Sequence, residues 1–177
     1  MKGQYIKICG MKVKKKTWIM AKQIKTNVMR ILDQKKIEYE THFYEPDGTL
    51  TGVEIAKILG EDPKQVYKTL VTIGASKAYY VFVIPVAAEL DLKKAAVAVS
   101  EKNIEMVKSK DLLGLTGYIH GGCSPIGMKK EFKTTVDSTA LANEEILFSA
   151  GKIGAQIHMK MVDIDKAFNH SYADVIK

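Results

Sequence analysis

The sequence predicts an α/β (α+β) fold, a single domain built on a mixed sheet in which several strands are antiparallel. Segments with helical periodicity alternate with short runs rich in β-branched and aromatic residues. Most connections are short, and short connections favour antiparallel neighbours because parallel strands need long crossovers. The 177 residues are 46% hydrophobic and 27% charged, which suits one ordinary globular domain with its own core.

The first third of the domain predicts two helices around a strand. Residues 20–36 carry apolar side chains at helical spacing and predict an amphipathic helix. Those side chains are Ile24, Val28, Ile31 and Leu32. Residues 37–44 (IEYETHFY) predict a strand, and EPDG after them predicts a turn. Thr51 and Glu54 form a capping-box pattern for a second helix, which Gly60 ends.

The middle of the chain predicts a β-hairpin followed by helix. The runs VYKTLVTIG, from Val66, and YYVFVIPV, from Tyr79, read as adjacent strands joined at ASKA. In ELDLKKAAVAVS, Asp91 is the expected N-cap of a helix. The helical register continues through SEKNIEMVKSKDLLG, so we expect helix up to Gly114.

The last third predicts three strands and a short helix. FKTTVDST, EILFSAG and AQIHMKMV are the expected strands, and GKIG is the turn between the last two. DIDKAFNH is the expected helix.

The positive charge is concentrated at the N-terminus. The net charge is +7, yet the first acidic residue is Asp33. The segment before it carries +9 and the remainder −2. We therefore divide the chain into a basic N-terminal arm, residues 1–19, and a domain, residues 20–177. The arm can attract a nucleic-acid backbone. Alternatively, it is a flexible solubilising tail. A third interpretation is an upstream start codon, since Met11 and Met20 can each begin the domain.

Several classes of protein are disfavoured by the remaining composition. No apolar run approaches the roughly 20 residues of a membrane span, and the N-terminus does not resemble a signal peptide. Cys9 and Cys123 form no disulfide framework, which predicts a reducing, cytoplasmic location. The four histidines match no zinc motif, and we expect neither a metal nor another cofactor. They are His42, His120, His158 and His170.

Lys68 stands out because strand alternation places it on one face with Val66 and Leu70. One interpretation is a strand-end lysine whose stem packs on the core while its ammonium reaches water. The other is an ammonium held at a cleft, where it binds an anion or polarises a carbonyl.

The stretch GYIHGGCSPIGMKKEF, residues 117–132, is the second unusual feature. Backbone N–H groups beside Gly121 and Gly122 can approach an oxygen atom closely, although a tight turn explains the same pattern. Cys123 lacks an evident partner base and is better explained as a small packing residue than as a nucleophile. Asp137 and Ser138 fit a strand end with a cap as well as a catalytic pair.

Five segments together resemble the YbaK family of bacterial aminoacyl-tRNA deacylases, relatives of the editing domain of prolyl-tRNA synthetase. In order, they are VYKTLV, VIPVAAELDLKKAA, TGYIHGGCSPIGMKK, TTVDSTAL and ILFSAGKIG. The resemblance covers about residues 23–165. The family's essential lysine corresponds to Lys68, and its Gly-x-x-x-Pro loop to Gly121 and Pro125.

The resemblance implies a compact domain with a curved, mixed, mostly antiparallel sheet flanked by helices. It also implies hydrolysis of the ester that joins a wrong amino acid to tRNA, chiefly cysteine on tRNA(Pro), with the substrate's own thiol attacking the carbonyl. Gly121 and Gly122 would contact the acyl region, and Lys68 would orient the tRNA 3′ end. The residues expected to line the substrate pocket are Tyr44, Thr69, Ser124, Pro125 and Ser149. Thr51 stands where the family can carry an aromatic residue.

Three alternatives remain at this point. The first is a deacylase for another small amino acid such as alanine, and the second is a non-catalytic module that binds tRNA or a synthetase. The third is a phosphate-handling enzyme. The expected partners are the acceptor end of aminoacylated tRNA and prolyl-tRNA synthetase, with no membrane.

Overall fold

The computed structural model describes residues 5–8, 11–14, 25–45 and 50–177. The helices are α1 (Asn27–Gln34), α2 (Gly52–Leu59), α3 (Leu92–Val99), α4 (Ser109–Thr116) and α5 (Ile164–Ala167). The first strands are β1 (Tyr5–Ile8), β2 (Met11–Lys14), β3 (Glu40–Phe43), β4 (Tyr67–Gly74) and β5 (Tyr79–Pro85). The remaining strands are β6 (Ile104–Met106), β7 (Lys133–Asp137), β8 (Glu145–Ser149), β9 (Ala155–Lys160) and β10 (Ser171–Ala173). Two 3₁₀ helices span Ser138–Ala142 and Met161–Asp163.

The strands form a five-stranded sheet of order β10-β7-β5-β4-β6, a three-stranded sheet of order β3-β9-β8 and the β1-β2 hairpin. Among the strand pairs of the described residues, β5–β7 and β7–β10 are parallel and the others antiparallel, which confirms the prediction of a mixed, mostly antiparallel arrangement. The two larger sheets meet where Val66, just before β4, forms a bridge with Leu147 of β8. The β1–β2 hairpin lies within the segment that we defined as the basic arm, for which the sequence predicted no strands.

Two main cores fill the faces of these sheets. The larger one packs α1 against the inner sides of both sheets, with Val28, Leu32, Phe148 and Ile157 completely buried. The other packs α3 against β5, around Phe82 and Ile84. The strand alternation predicted for β4 is confirmed, because Tyr67 and Val71 belong to the larger core while Leu70 packs against the other.

The first helix is shorter than predicted. Thr26 is its N-cap, and the Thr26 side chain accepts a hydrogen bond from the N–H of Met29, so the helix begins at Asn27 rather than at residue 20. Residues 20–24 of the predicted helix lie outside the described residues, as does most of the EPDG turn. The capping box at Thr51 and the stop at Gly60 are confirmed.

The prediction of continuous helix from residue 100 to Gly114 was wrong. Ser100 adopts a left-handed conformation (φ 64°) and ends α3, and β6 follows as the edge strand antiparallel to β4. Helix resumes only at α4, which runs to Thr116. Ile104 is buried beneath this edge. The backbone groups of β4 supply a partner for β6 that local periodicity cannot reveal.

The C-terminal end adds a strand that the sequence analysis missed. β10 runs parallel to β7, and its residues are too few for a recognisable alternation. Within the described ranges, no helix has the length and apolar character needed to cross a membrane.

Candidate active site

A cavity of about 440 Å³ lies where the two larger sheets part, between the first half of β4, α2, the 117–128 loop and the β8–β9 turn. β6 pairs with Thr72–Gly74 of β4 and leaves the edge of the first half of β4 uncovered. Side chains from both faces of this half of the strand line the cavity. Five of the predicted site residues line the cavity: Tyr44, Lys68, Thr69, Gly121 and Ser149. The volume falls in the range of small-molecule sites.

Lys68 lies on the cavity wall with its stem half-buried. Its ammonium donates to the carbonyl oxygen of Val86 at 3.2 Å. Burial lowers the pKa of Lys68, and the nearby Glu89 carboxylate partly opposes this effect. A lysine held in this way places a positive charge at the wall of a concave space, as the cleft interpretation required.

Two residues that line the cavity each hold a buried polar atom without a partner among the described residues. The two atoms are Oγ1 of Thr69 and Oε1 of Gln156. A buried oxygen without a hydrogen bond is unfavourable, so each atom is a candidate contact for a bound ligand. The Ser149 hydroxyl, in contrast, accepts a hydrogen bond from the N–H of Gly151 at 3.2 Å.

The glycine pair of the 117–128 loop serves two different purposes. Gly121 has φ 79°, in the left-handed region that favours glycine. Gly122 packs against the β8–β9 turn, where an added Cβ would lie 3.1 Å from the backbone nitrogen of Ile153. The Gly122 N–H already donates to the carbonyl of Ile119 at 3.0 Å. No acceptor is found in the described chain for the N–H groups of Gly121 and Cys123.

The rest of the loop is fixed from within. The Tyr118 hydroxyl donates to the carbonyl of Ile126 at 2.6 Å, closing the loop on itself. Ser124 is completely buried and its hydroxyl accepts from the N–H of Ile126 at 3.4 Å. Pro125 lines a second cavity on the other side of the loop. Ser124 and Pro125 therefore lie behind the cavity wall.

Cys123 lines the cavity but is unsuited to nucleophilic attack. It is only 7% exposed, and burial raises the pKa of its thiol to about 12. The thiol stays protonated at neutral pH, and a thiol is a far weaker nucleophile than a thiolate. The packing interpretation of Cys123 fits this environment.

Sequence reasoning missed Gln156 and did not assign His120 to the site, although both line the cavity. Gln156 sits on β9 opposite Ser149 of β8, and this register alone brings it to the cavity. Thr51 also lines the cavity, with its hydroxyl donating to Glu54 at 2.8 Å as part of the α2 cap. No signal in the sequence distinguished Gln156 from a surface position.

Asp137 and Ser138 are structural. Asp137 is completely buried, and its carboxylate accepts from the N–H of Thr139 and the N–H of Val175, each at 3.0 Å. It caps the 3₁₀ helix and ties the C-terminal segment to β7. The cap interpretation, not the catalytic pair, fits this geometry.

Comparison with known proteins identifies the family. A family model for the aminoacyl-tRNA editing domain matches residues 47–167. The chain is 44% identical over 163 residues to the Enterococcus faecalis (strain ATCC 700802 / V583) protein named "Putative Cys-tRNA(Pro)/Cys-tRNA(Cys) deacylase EbsC". That alignment covers 92% of this chain and 96% of the relative.

Solved structures support the same fold. One is described as "hypothetical protein APE2540" and superposes with a TM-score of 0.77 at 21% identity, covering 85% of this chain and 99% of the other. Another, "a putative trans-editing enzyme for prolyl tRNA synthetase", gives 0.73 at 22% identity, covering 87% and 99%. At these identities the two structures show the fold alone. The family model and the 44%-identical relative settle the membership: the chain belongs to the aminoacyl-tRNA editing domain family.

Proposed function

We propose that this protein is a trans-acting editing enzyme that removes mischarged cysteine from tRNA(Pro) by cleaving the aminoacyl ester. The relative's name supports the reaction, and one observation about the cavity carries the assignment to this site. Lys68, Gly121, Thr69 and Gln156 all line the same space, and Thr69 and Gln156 each hold a buried oxygen without a partner among the described residues. This is a combination of one cation, free backbone donors and unsatisfied acceptors.

The need for such an enzyme follows from the limits of molecular recognition. Cysteine and proline are similar in size, and one small group changes binding in an apolar pocket by only about 1–3 kcal/mol. A second, hydrolytic site supplies the missing discrimination. The cavity is sized for a small amino acid ester rather than for a polymer.

The protein's task in this reaction is positioning and charge stabilisation. As the ester carbonyl is attacked, negative charge develops on its oxygen, and N–H donors fixed in advance stabilise that charge. We assign this role to the N–H of Gly121, since the Gly122 N–H is already engaged. Gly122 instead holds the loop against the β8–β9 turn. Lys68 orients the 3′ end of the tRNA by charge and hydrogen bonding.

The nucleophile in this proposal is the thiol of the substrate cysteine. The sulfur attacks the carbonyl carbon, a C–S bond forms, and the ester C–O bond breaks with its electron pair on the ribose oxygen. The thiol proton passes to that oxygen, so the products are a cyclic thiolactone and free tRNA. The buried, protonated state of Cys123 is consistent with a protein that supplies no thiolate. Intramolecular attack benefits from high effective concentration.

The remaining contacts orient the amino acid. Oε1 of Gln156 and Oγ1 of Thr69 can accept hydrogen bonds from its ammonium group. Tyr44 and Ser149 form the adjoining wall. Ser124 and Pro125 support the loop from behind.

Single-turnover deacylation of Cys-tRNA(Pro) by the purified protein tests the proposal. Lys68→Ala should lower the rate about 10²-fold, because an ester that is no longer held in position loses the geometry needed for attack. Lys64→Ala is the matched control, because Lys64 is an exposed lysine outside the cavity, and it should react at the wild-type rate. A rate unaffected by Lys68→Ala contradicts the assigned role.

Varying the amino acid on the tRNA separates the candidate mechanisms. Serine or alanine in place of cysteine should abolish the reaction, because neither supplies a thiol. Continued hydrolysis of Ala-tRNA would favour the alternative deacylase for a small amino acid with water as nucleophile. Retention of tRNA without turnover would favour the non-catalytic module.

We also propose that prolyl-tRNA synthetase assists substrate delivery. From Asp33 to residue 177, acidic and basic residues nearly balance, so that part of the chain has no net positive charge available for tracking tRNA phosphates. Added synthetase should raise the deacylation rate at substrate concentrations below saturation.

A further inference from the structure

A cluster of histidines and carboxylates lies on the same face of the three-stranded sheet as Gln156 and Ser149, but its members do not line the active-site cavity. Glu40 of β3 is directly opposite His158 of β9, and His42 is opposite Gln156. Residues at even positions on β3 and at their partners on β9 project to one face. The sheet register therefore brings together two histidines that are 116 positions apart in the sequence.

The two imidazole rings approach each other through nitrogen atoms. Nδ1 of His158 lies 3.4 Å from Nε2 of His42. Oε2 of Glu40 lies 3.8 Å from the same Nε2. The three candidate ligand atoms all lie within 4.8 Å of one another.

The outer nitrogen of each ring faces a different carboxylate. Nε2 of His158 is 2.9 Å from Glu145, in an orientation outside a well-formed hydrogen bond, and Nδ1 of His42 is 3.5 Å from Glu61. The negative charge of a carboxylate near the outer nitrogen favours the ring proton on that side, and in this tautomer the inner nitrogen has a lone pair. With both protons outward, two lone pairs face each other across 3.4 Å, and this arrangement calls for a cation between them.

The 3.4 Å between the two imidazole nitrogens matches a tetrahedral transition-metal site, and the Glu40 oxygen, at 3.8 Å, has only a short distance to move. With metal–nitrogen bonds of about 2.0–2.1 Å, two nitrogens on a tetrahedral zinc ion stand about 3.3–3.4 Å apart. Two neutral imidazoles and one carboxylate form a ligand set that suits Zn²⁺ and leaves a fourth position open. The outer carboxylates of Glu145 and Glu61 are placed as the partners that commonly orient zinc-bound histidines.

We propose that Glu40, His42 and His158 bind a divalent transition-metal ion of the Zn²⁺ class, which clamps β3 to β9. This site goes beyond the proposed deacylase function and supplies no step of its chemistry. β3 leads directly to Tyr44, and β9 carries Gln156, so the clamp would fix the strands that form one wall of the active-site cavity.

The test is metal binding by the full-length protein after treatment with a chelator. Titration with ZnCl₂ in a calorimeter should give one equivalent bound with micromolar or tighter affinity, and a rise of several degrees in the unfolding midpoint at saturating metal. CoCl₂ should give the visible absorption of a four-coordinate Co²⁺ complex. Binding weaker than millimolar, or a Co²⁺ spectrum of the hydrated ion, would overturn the proposal.

Variants identify the ligands. His42→Gln and His158→Gln should each weaken Zn²⁺ binding at least tenfold, whereas His120→Gln, which removes a histidine elsewhere, should not. Glu40→Gln removes the charge of a largely exposed side chain, so it should also weaken binding. Undiminished binding in all three ligand variants, or uptake of a single proton by the pair without metal binding, would refute the site.

Discussion

Exchanging Gly121 for alanine tests whether the backbone of the 117–128 loop, rather than a side chain, acts in the reaction. Gly121 has φ 79°, and an added Cβ would meet only the Ile153 side chain at 3.7 Å, an ordinary contact. The substitution is therefore strained by backbone conformation and not by lack of space. Gly60 is a matched control, with φ 77° and nothing within 4 Å of its added Cβ, at the end of α2.

The expected stability change follows from these angles. A left-handed conformation costs an L-residue about 1–2 kcal/mol, and the lower entropy of the unfolded alanine chain offsets about 0.4–1 kcal/mol of this. Gly121→Ala and Gly60→Ala should each lose about 1 kcal/mol in the free energy of unfolding, or about 2–4 °C in midpoint. The two variants should differ in activity, because relaxation at Gly121 turns the N–H that we assign to the ester oxygen. We expect about a 10²-fold loss for Gly121→Ala alone.

Urea denaturation gives the stability of both variants, and single-turnover deacylation of Cys-tRNA(Pro) gives their activity. Equal destabilisation together with wild-type activity in Gly121→Ala would refute the assigned role of the Gly121 N–H. A Gly121→Ala protein as stable as wild type would refute the argument from conformational strain.

Two further predictions follow from buried charge. Asp137→Asn should lower the free energy of unfolding, measured by urea denaturation, by about 2–4 kcal/mol. The reason is that the amide places its N–H₂ group against the N–H of either Thr139 or Val175, where the carboxylate accepted a hydrogen bond. A loss under about 0.5 kcal/mol would contradict this expectation. For Lys68, burial lowers the pKa, so the positive charge is lost as pH rises through a value below its ordinary one of about 10.4. The rate ratio of wild type to Lys68→Ala should therefore fall towards one before pH 10.4, and a constant ratio up to that pH would contradict the pKa shift.

Local signals predicted much of the fold. The capping box at Thr51, the stop at Gly60 and the Asp91 cap are confirmed, because each depends on hydrogen bonds within a few residues. The β4–β5 hairpin is also confirmed, with its register running from Tyr67 opposite Pro85 to Ile73 opposite Tyr79. The prediction of a continuous helix before Gly114 was wrong because Ile104–Met106 form an edge strand, which pairs with residues of β4 about thirty positions earlier in the sequence.

The site was also predictable in part, where a single residue departed from the pattern of its neighbours. Lys68 attracted attention as a charge on an apolar face, and Gly121 as a residue without a side chain, and both line the cavity. Gln156 could not be found in this way, because a single polar residue in an apolar strand has no local signature. Its position depends on the pairing of β8 with β9.

By itself, the sequence determined the helix ends marked by Thr51, Gly60 and Asp91, the hairpin, the N-terminal concentration of charge and the two residues around which the site is built. These features depend on the intrinsic conformational preferences of single residues and on hydrogen bonds between near neighbours. Only the tertiary structure decided that β6 and β10 are strands, that Gln156 reaches the cavity and that His42 meets His158. Strand register joins residues distant in sequence, and the free energy that selects it comes from burial and hydrogen bonding across the whole sheet.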